Sequence, residues 1–348
     1  MIPVRIVSMA RRLPARRVAN REAPFPAHDD IDALEKFWGI ERRGVIDEPG
    51  GECEITLAED AAREALDLAG VGPAEIGYCF ASITSPVVNP GPAAGPPSRF
   101  APRVAWHLAR RLGLGGAVAA DCEVECMSFL VQVQMAANLI EQGRASHVLV
   151  AATERMSAIL DYDKRSAMPF GDGAVVAVIG RAASPEEGLL GSLYFSDPAH
   201  YELATVRWDG PQGAERPVFT MAEGGDRALA ELVPSAIPRV VSRFLEERAE
   251  TIADYDSVIL HQPSQFILDA WIRRLKIPRD RTVCNVRDNG CLVSASLPLA
   301  LYDGLARGVV RPGHATLLGG LGAGWAFGAQ AWRMGEVAIP AGDRSPPA

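Results

Sequence analysis

Residues Ala117–Gln142 read AVAADCEVECMSFLVQVQMAANLIEQ. A short apolar run, Ala117–Asp121, has strand character; a polar connection follows, and from Met127 to Gln142 apolar residues return at helical spacing. This change of period is an α/β signature, and it places Cys126 where the helix begins. Unpaired backbone N–H groups at a helix N-terminus favour a thiolate, which makes a cysteine nucleophilic at neutral pH. The same position also suits a cysteine that merely packs. Glu123 and Glu125 complicate the first reading, because adjacent negative charge raises a thiol pKa. Either both are solvated loop carboxylates, or Glu125 has a role of its own as a base.

Outward from this stretch the alternation continues. Strands are expected at Ile76–Ser82, His147–Thr153, Ala174–Ile179, Ser257–Leu260, Thr282–Val286 and Ala315–Leu318, with helices at Leu57–Leu68, Arg103–Arg111, Pro238–Glu247, Gln265–Leu275 and Ser296–Ala306. Apolar strands followed by helices favour buried, largely parallel sheets. The turn-rich GRAASPEEG at Gly180–Gly188 divides the chain into halves, 1–180 and 186–335, with 336–348 expected to be disordered. No repeat between the halves is visible at the residue level. Pro86–Pro102, PVVNPGPAAGPPSRFAP, excludes regular helix or strand and suits a lid, a pocket wall, a subunit contact or a plain surface excursion.

The 348 residues carry a formal net charge of −8, which argues against a nucleic-acid partner. No run reaches the roughly 18–20 apolar residues of a membrane helix. The N-terminus lacks the apolar core and cleavage site of a secretory signal and reads as an opening strand, so a cytoplasmic location is expected. None of the six cysteines lies in a C-x-x-C pair, and no metal site is expected. Cys53, Cys79 and Cys284 read as small buried hydrophobes.

Two further segments carry chemistry. His261 ends a strand, Val258–Leu260, ahead of a turn at Pro263 and a helix; strand C-terminal ends are where α/β sheets place ligands, and a histidine there suits proton transfer. Gly319–Gly324, GGLGAG, departs from a dinucleotide fingerprint because Trp325 fills the last position. It reads as a tight turn, either offering backbone N–H groups to an oxyanion or permitting close packing.

Together these segments resemble the β-ketoacyl synthase III branch of the thiolase superfamily over nearly the whole chain. Gly39–Arg43 is similar to its G-I-x-x-R segment, Asp121–Phe129 to its D-x-x-x-x-C-x-x-F motif, and Ala137–Leu149 to the helix and strand after it. Phe170–Ala174 is similar to its F-G-D-G-A turn, His261-Gln262 to its H-Q pair, and Asn285–Pro298 to the loop before its glycine-rich turn. The resemblance implies a duplicated five-layer α-β-α-β-α thiolase-like fold, a homodimer, and no permanently bound cofactor. It implies an acyl group taken onto Cys126 from an acyl-coenzyme A or acyl-carrier-protein thioester and passed to a small-molecule acceptor. His261 would assist carbanion formation or proton transfer, and the backbone N–H groups of Cys126, Ala323 and Gly324 would form the oxyanion hole.

Two departures from the family stand out. Cys291 occupies the place of the asparagine that partners the histidine during malonyl decarboxylation, with Asn289 two residues before it; a thiol is a weak donor beside an amide. Ala33, Phe37 and Phe266 stand where the family grips coenzyme A with Trp and Arg. Arg273 and Arg274 fall where the family presents basic residues to the carrier, and Phe100, Met127, Met168 and Leu321 are candidates for the acyl tunnel. The expected activity is that of an acyltransferase of polyketide- or fatty-acid-type specialised metabolism, working by Claisen-type condensation. Alternatives are ester or amide formation on an oxygen or nitrogen acceptor, and a non-catalytic partner subunit.

Overall fold

Two sheets organise the chain, and both are built from the apolar runs that the sequence shows. In the computed structural model, which describes residues 3–22, 30–91, 97–98, 100–211, 215–223 and 225–344, the first sheet comprises β1 (Val4–Arg12), β2 (Ile76–Ser82), β3 (Val118–Asp121), β4 (His147–Arg155) and β5 (Asp172–Arg181) in the order β1-β5-β4-β2-β3. The second comprises β6 (Gly188–Ser196), β7 (Ser257–Leu260), β8 (Ala315–Gly322) and β9 (Ala326–Arg333) in the order β6-β9-β8-β7. The pairing senses repeat. β1/β5 and β5/β4 are antiparallel with β4/β2 parallel; β6/β9 and β9/β8 are antiparallel with β8/β7 parallel.

Six helices sort by which sheet face they cover: α1 (Glu54–Ala69), α2 (Val104–Leu112), α3 (Ser128–Glu141), α4 (Gly225–Arg248), α5 (Gln265–Leu275) and α6 (Ser296–Ala306). α1 and α2 pack their apolar stripes on the outer face of the first sheet, and α4 and α5 do so on the second. Between the sheets lie α3 and α6, whose residues Phe129, Leu130, Val133, Leu297 and Leu301 share one core with strands of both sheets. A helix buried on all sides must be apolar nearly all round, as SFLVQVQMAANLIE and SLPLALYDGLA both are. The result is five layers, α-β-α-β-α.

Two expectations need correction. Thr282–Val286 is irregular rather than a strand, because a side chain takes over the pairing. The Gln262 amide donates to Val283 O (3.2 Å) and accepts from Asn285 N (3.3 Å). Residues 336–344, expected to be disordered, are tied down: Met9 N donates to Ala338 O at 2.9 Å, and Tyr302 Oη donates to Asp343 at 2.6 Å. The last four residues, 345–348, lie outside the described residues. The Pro-rich segment also falls partly outside them; within the described part, Val88 and Ser98 exchange two backbone hydrogen bonds of 3.0 and 3.1 Å. Among the described residues no helix is long and apolar enough to cross a membrane.

Candidate active site

The chain leaves β3 at Asp121 and enters α3 through a 3-10 turn, Glu125–Met127. Glu125 sits at φ 51°, a region that costs a non-glycine residue. Ser128 Oγ fixes the turn by accepting from Val124 N (2.8 Å) and donating to Glu123 Oε1 (2.8 Å). From the facing sheet, Gly322 of β8 closes over it. A Cβ at that position would stand 2.6 Å from Val124 O, so only glycine allows the approach. Cys126 is thereby held half-buried in the wall of a cavity of about 720 Å³ whose lining is largely apolar.

His261 reaches the same cavity from the end of β7, its backbone N–H donating to Gly319 O at 2.9 Å. Cys291 comes from the segment between α5 and α6. Its N–H donates to Pro169 O (2.6 Å) and its carbonyl accepts from Gly171 N (3.1 Å), so the FGDGA turn serves to hold it in place. The Cys291 Sγ lies 4.0 Å from His261 Nε2 and accepts from Ser296 Oγ at 3.6 Å, and it shares the cavity lining with Cys126. Cys126, Cys291 and His261 therefore bring three proton-bearing side chains to one cavity.

The charge placement along that chain differs from the expectation of a thiolate at the helix terminus. The hydrogen bond to Cys291, then burial, then the carboxyls of Glu125 and Glu154 hold the Cys126 thiol well above its ordinary value. Cys291 moves well below its ordinary value, through the Cys126 hydrogen bond and the facing His261. These surroundings favour the protonated form of Cys126, with Cys291 its neighbour in the cavity wall.

A carboxyl cluster lies behind the turn. Burial, then Glu123, pushes Glu125 up to about 8; burial pushes Glu123 to about 6 and Glu154 well above its ordinary value. Glu154 accepts from Thr84 N (3.1 Å), Ser294 N (3.2 Å) and Ser294 Oγ (2.6 Å). Thr84 Oγ1 lies 3.2 Å from Glu125 Oε2 and 3.1 Å from Glu154 Oε1. Glu125 is thus not a solvated loop carboxylate, whereas Glu123 stays exposed while accepting from Ile83 N (2.7 Å) and Ser128 Oγ (2.8 Å). Thr84 and Glu154 carry no local sequence signal, since the network joins segments 70 residues apart.

Of the acyl-tunnel candidates, Leu321 lines the cavity. Phe100 is 84% exposed. Met127 points into the core between the sheets, against Gly320 and Gly328, and Met168 packs with Val18, Ile31 and Val45. Ala323 lines the cavity next to Gly324, which has φ 78°. Asn289 is turned away, donating to Asn285 O (3.0 Å) and accepting from Arg17 (3.2 Å). Arg273 and Arg274 are exposed in the last turn of α5, outside the cavity lining. The basic residues that do line it are Lys164, Arg165 and Arg227, each paired with a carboxylate, Asp161, Asp30 and Glu231 respectively. Phe37, in the lining, stacks on Phe266 with ring centroids 5.4 Å apart.

Known proteins resemble this chain over most of its length. Residues 120–198 match the family described as 3-oxoacyl-[acyl-carrier-protein] synthase III, and residues 245–334 match its C-terminal counterpart. The 2-heptyl-4(1H)-quinolone synthase subunit PqsC of Pseudomonas aeruginosa is 34% identical over 347 residues, covering 97% of this chain and 100% of that protein. A β-ketoacyl-[acyl-carrier-protein] synthase III of Rhizorhabdus wittichii is 30% identical over 329 residues, covering 94% and 98%. The crystal structure of 3-oxoacyl-(acyl carrier protein) synthase III, FabH, from P. aeruginosa superimposes with a TM-score of 0.82 at 27% identity, covering 97% of this chain and 100% of that one. The five layers are therefore those of the thiolase-like fold.

Proposed function

The chain belongs to the β-ketoacyl-[acyl-carrier-protein] synthase III family of condensing enzymes, and from that premise we propose that Cys126 accepts an acyl group from a coenzyme A or carrier-protein thioester and delivers it to a carbon nucleophile. The observation that carries this reading is the convergence of Cys126, Cys291 and His261 on one largely apolar cavity, with Cys291 Sγ 4.0 Å from His261 Nε2.

In the first half-reaction the Cys126 proton passes to Cys291, backed by His261, as sulfur attacks the thioester carbonyl. The tetrahedral oxyanion is held by backbone N–H groups of Cys126 and of the Ala323–Gly324 turn. The departing thiol takes the proton back, leaving acyl-Cys126 and a neutral Cys291–His261 pair. The largely apolar wall suits an alkyl chain. Cys291 stands in the place of the family's asparagine and acts as a proton acceptor there, a task for which an amide is unsuited.

Condensation is favoured over ester or amide formation by the relative's product name. In a 2-heptyl-4(1H)-quinolone the alkyl chain sits on a ring carbon that is itself bonded to carbon. Placing an eight-carbon acyl unit there requires a carbon–carbon bond. Assembly as a homodimer is proposed through the edge strand β3, where Val118 and Trp106 of α2 leave apolar surface 54% and 59% exposed.

The test is intact-protein mass spectrometry after incubation with octanoyl-coenzyme A and with octanoyl carrier protein, with Cys126→Ala as control. A single octanoyl increment in the native protein only is expected. No increment from either donor overturns the reading.

A further inference from the structure

Glu125 is the one carboxyl group among the described residues that lines the cavity, and the acylation step above does not use it. Its position is costly on two counts. The residue holds φ 51°, where glycine would sit without strain, and its side chain is half-buried against a largely apolar cavity. Burying a carboxyl without a paired cation is unfavourable, and the partner within hydrogen-bond distance is the neutral hydroxyl of Thr84. That hydroxyl has a single hydrogen, yet it lies within hydrogen-bond distance of both Glu125 and Glu154. Both contacts are hydrogen bonds together only when one of the two carboxyls carries a proton, and this geometry suits a proton held along Glu125–Thr84–Glu154, beside the nucleophile.

We propose that Glu125 is the general base, and then the general acid, of the condensing half-reaction, acting on an acceptor whose reacting carbon lies between two carbonyl groups. This rests on the reading of Cys126 as the acyl carrier. The Glu125 carboxylate removes a proton from that carbon, and the electron pair of the broken C–H bond forms the new C–C bond to the carbonyl carbon of acyl-Cys126. The tetrahedral oxyanion collapses, the C–S bond breaks, and the Cys126 sulfur takes the proton from Glu125. The sum is acyl–S plus H–C giving acyl–C plus H–S, with no oxidant and no loss of carbon dioxide. His261, with Nε2 directed at Cys291, is placed to hold the enolate oxygen of the acceptor.

The charges support this sequence. Glu123 and Cys126 on the same turn, Glu154 from β4, and Cys291 and His261 across the cavity are the titratable groups facing Glu125. A Glu125 carboxylate and a Cys126 thiolate repel each other, and in the acyl-enzyme the sulfur carries no proton to lose and cannot become a thiolate. The base is thus easiest to ionise when the acyl group is in place. When the thiolate is expelled, Glu125 already carries the proton.

The experiment follows discharge of octanoyl-Cys126 by acetoacetyl-N-acetylcysteamine, a doubly activated carbon acid, using intact mass and product analysis as a function of pH. The wild type is expected to give the C-octanoyl product at a rate that climbs as pH rises through about 8. Glu125→Gln, which retains shape, should still become acylated by octanoyl-coenzyme A but, once loaded, discharge at least ~100-fold more slowly, without that climb. Glu125→Asp should recover part of both. Discharge of the Gln variant at the wild-type rate and with the wild-type profile overturns the proposal, as does a wild-type acyl-enzyme inert to this thioester or a Gln variant that cannot be acylated. Failure of the wild type to load octanoyl at Cys126 strikes the underlying reading instead.

Discussion

In the first half the chain enters its buried helix through Val124-Glu125-Cys126-Met127-Ser128; in the second it does so through Leu292-Val293-Ser294-Ala295-Ser296. The two turns superpose residue for residue in their bonding. The second residue is non-glycine at positive φ, 51° in Glu125 and 40° in Val293. The last is a serine whose Oγ accepts from the first residue's N–H, at 2.8 Å in one and 2.7 Å in the other. That serine also donates to the residue just before the turn, Glu123 in one half and Cys291 in the other. One backbone device thus occurs twice, and the two copies are used differently. The first presents its third residue, Cys126, to the cavity. The second turns its third residue, Ser294, onto Glu154 and exposes the preceding Cys291 instead.

Exchanging the fates of the two third residues gives the largest effect. Cys126→Ala abolishes the acyl increment, whereas Ser294→Ala leaves it. The serine variant loses stability, about 1–3 kcal/mol, because a buried carboxyl surrenders one of its donors; chemical denaturation reads this directly. An increment lost in both variants would mean that the second turn also serves chemistry.

The next effect separates the turns by what closes over them. Gly322→Ala places a Cβ 2.6 Å from the Val124 carbonyl, which is backbone and cannot rotate away, so the first turn shifts. A displacement near 1 Å is expected to slow acylation about 100-fold. Gly173→Ala meets the Leu292 side chain at a similar 2.6 Å, but a leucine Cδ can move to another rotamer. Acylation kinetics of the two variants, measured side by side, should differ by more than tenfold; equal loss would mean that the cavity, and not the turn, sets the rate.

This repeat is also where sequence reading stopped. Strand and helix periods showed the α/β layering and the places of Cys126 and His261, since both lie where one period ends and another begins. The duplication itself is carried by one shared serine and by positive φ at a glutamate and a valine, and neither residue type signals that backbone. Met127 was read as a pocket residue because sequence position does not say which side of a helix start faces the cavity. Thr282–Val286 has strand composition, and only the distant Gln262 amide explains why it stays irregular. The Glu125–Thr84–Glu154 network is a product of a 3-10 turn, a loop and the end of strand β4 meeting, which no local pattern encodes.

The smallest effect is a difference in how the turns respond to pH. Glu125 rises from 4.5 to about 8 on folding, and Glu123 to about 6. Between those limits the native state binds more protons than the unfolded chain, so their contribution to stability is greatest at low pH and is lost as pH rises through about 8. Cys291 runs the other way. Its native value lies well below 9, so the unfolded chain binds the extra proton, and stability is gained as pH rises toward 9. Thermal midpoints taken across the neutral range should therefore fall less steeply in Glu125→Gln than in the wild type, and more steeply in Cys291→Ala. Parallel curves for all three proteins would mean that neither turn stores charge, and that the proton held beside Cys126 lies elsewhere.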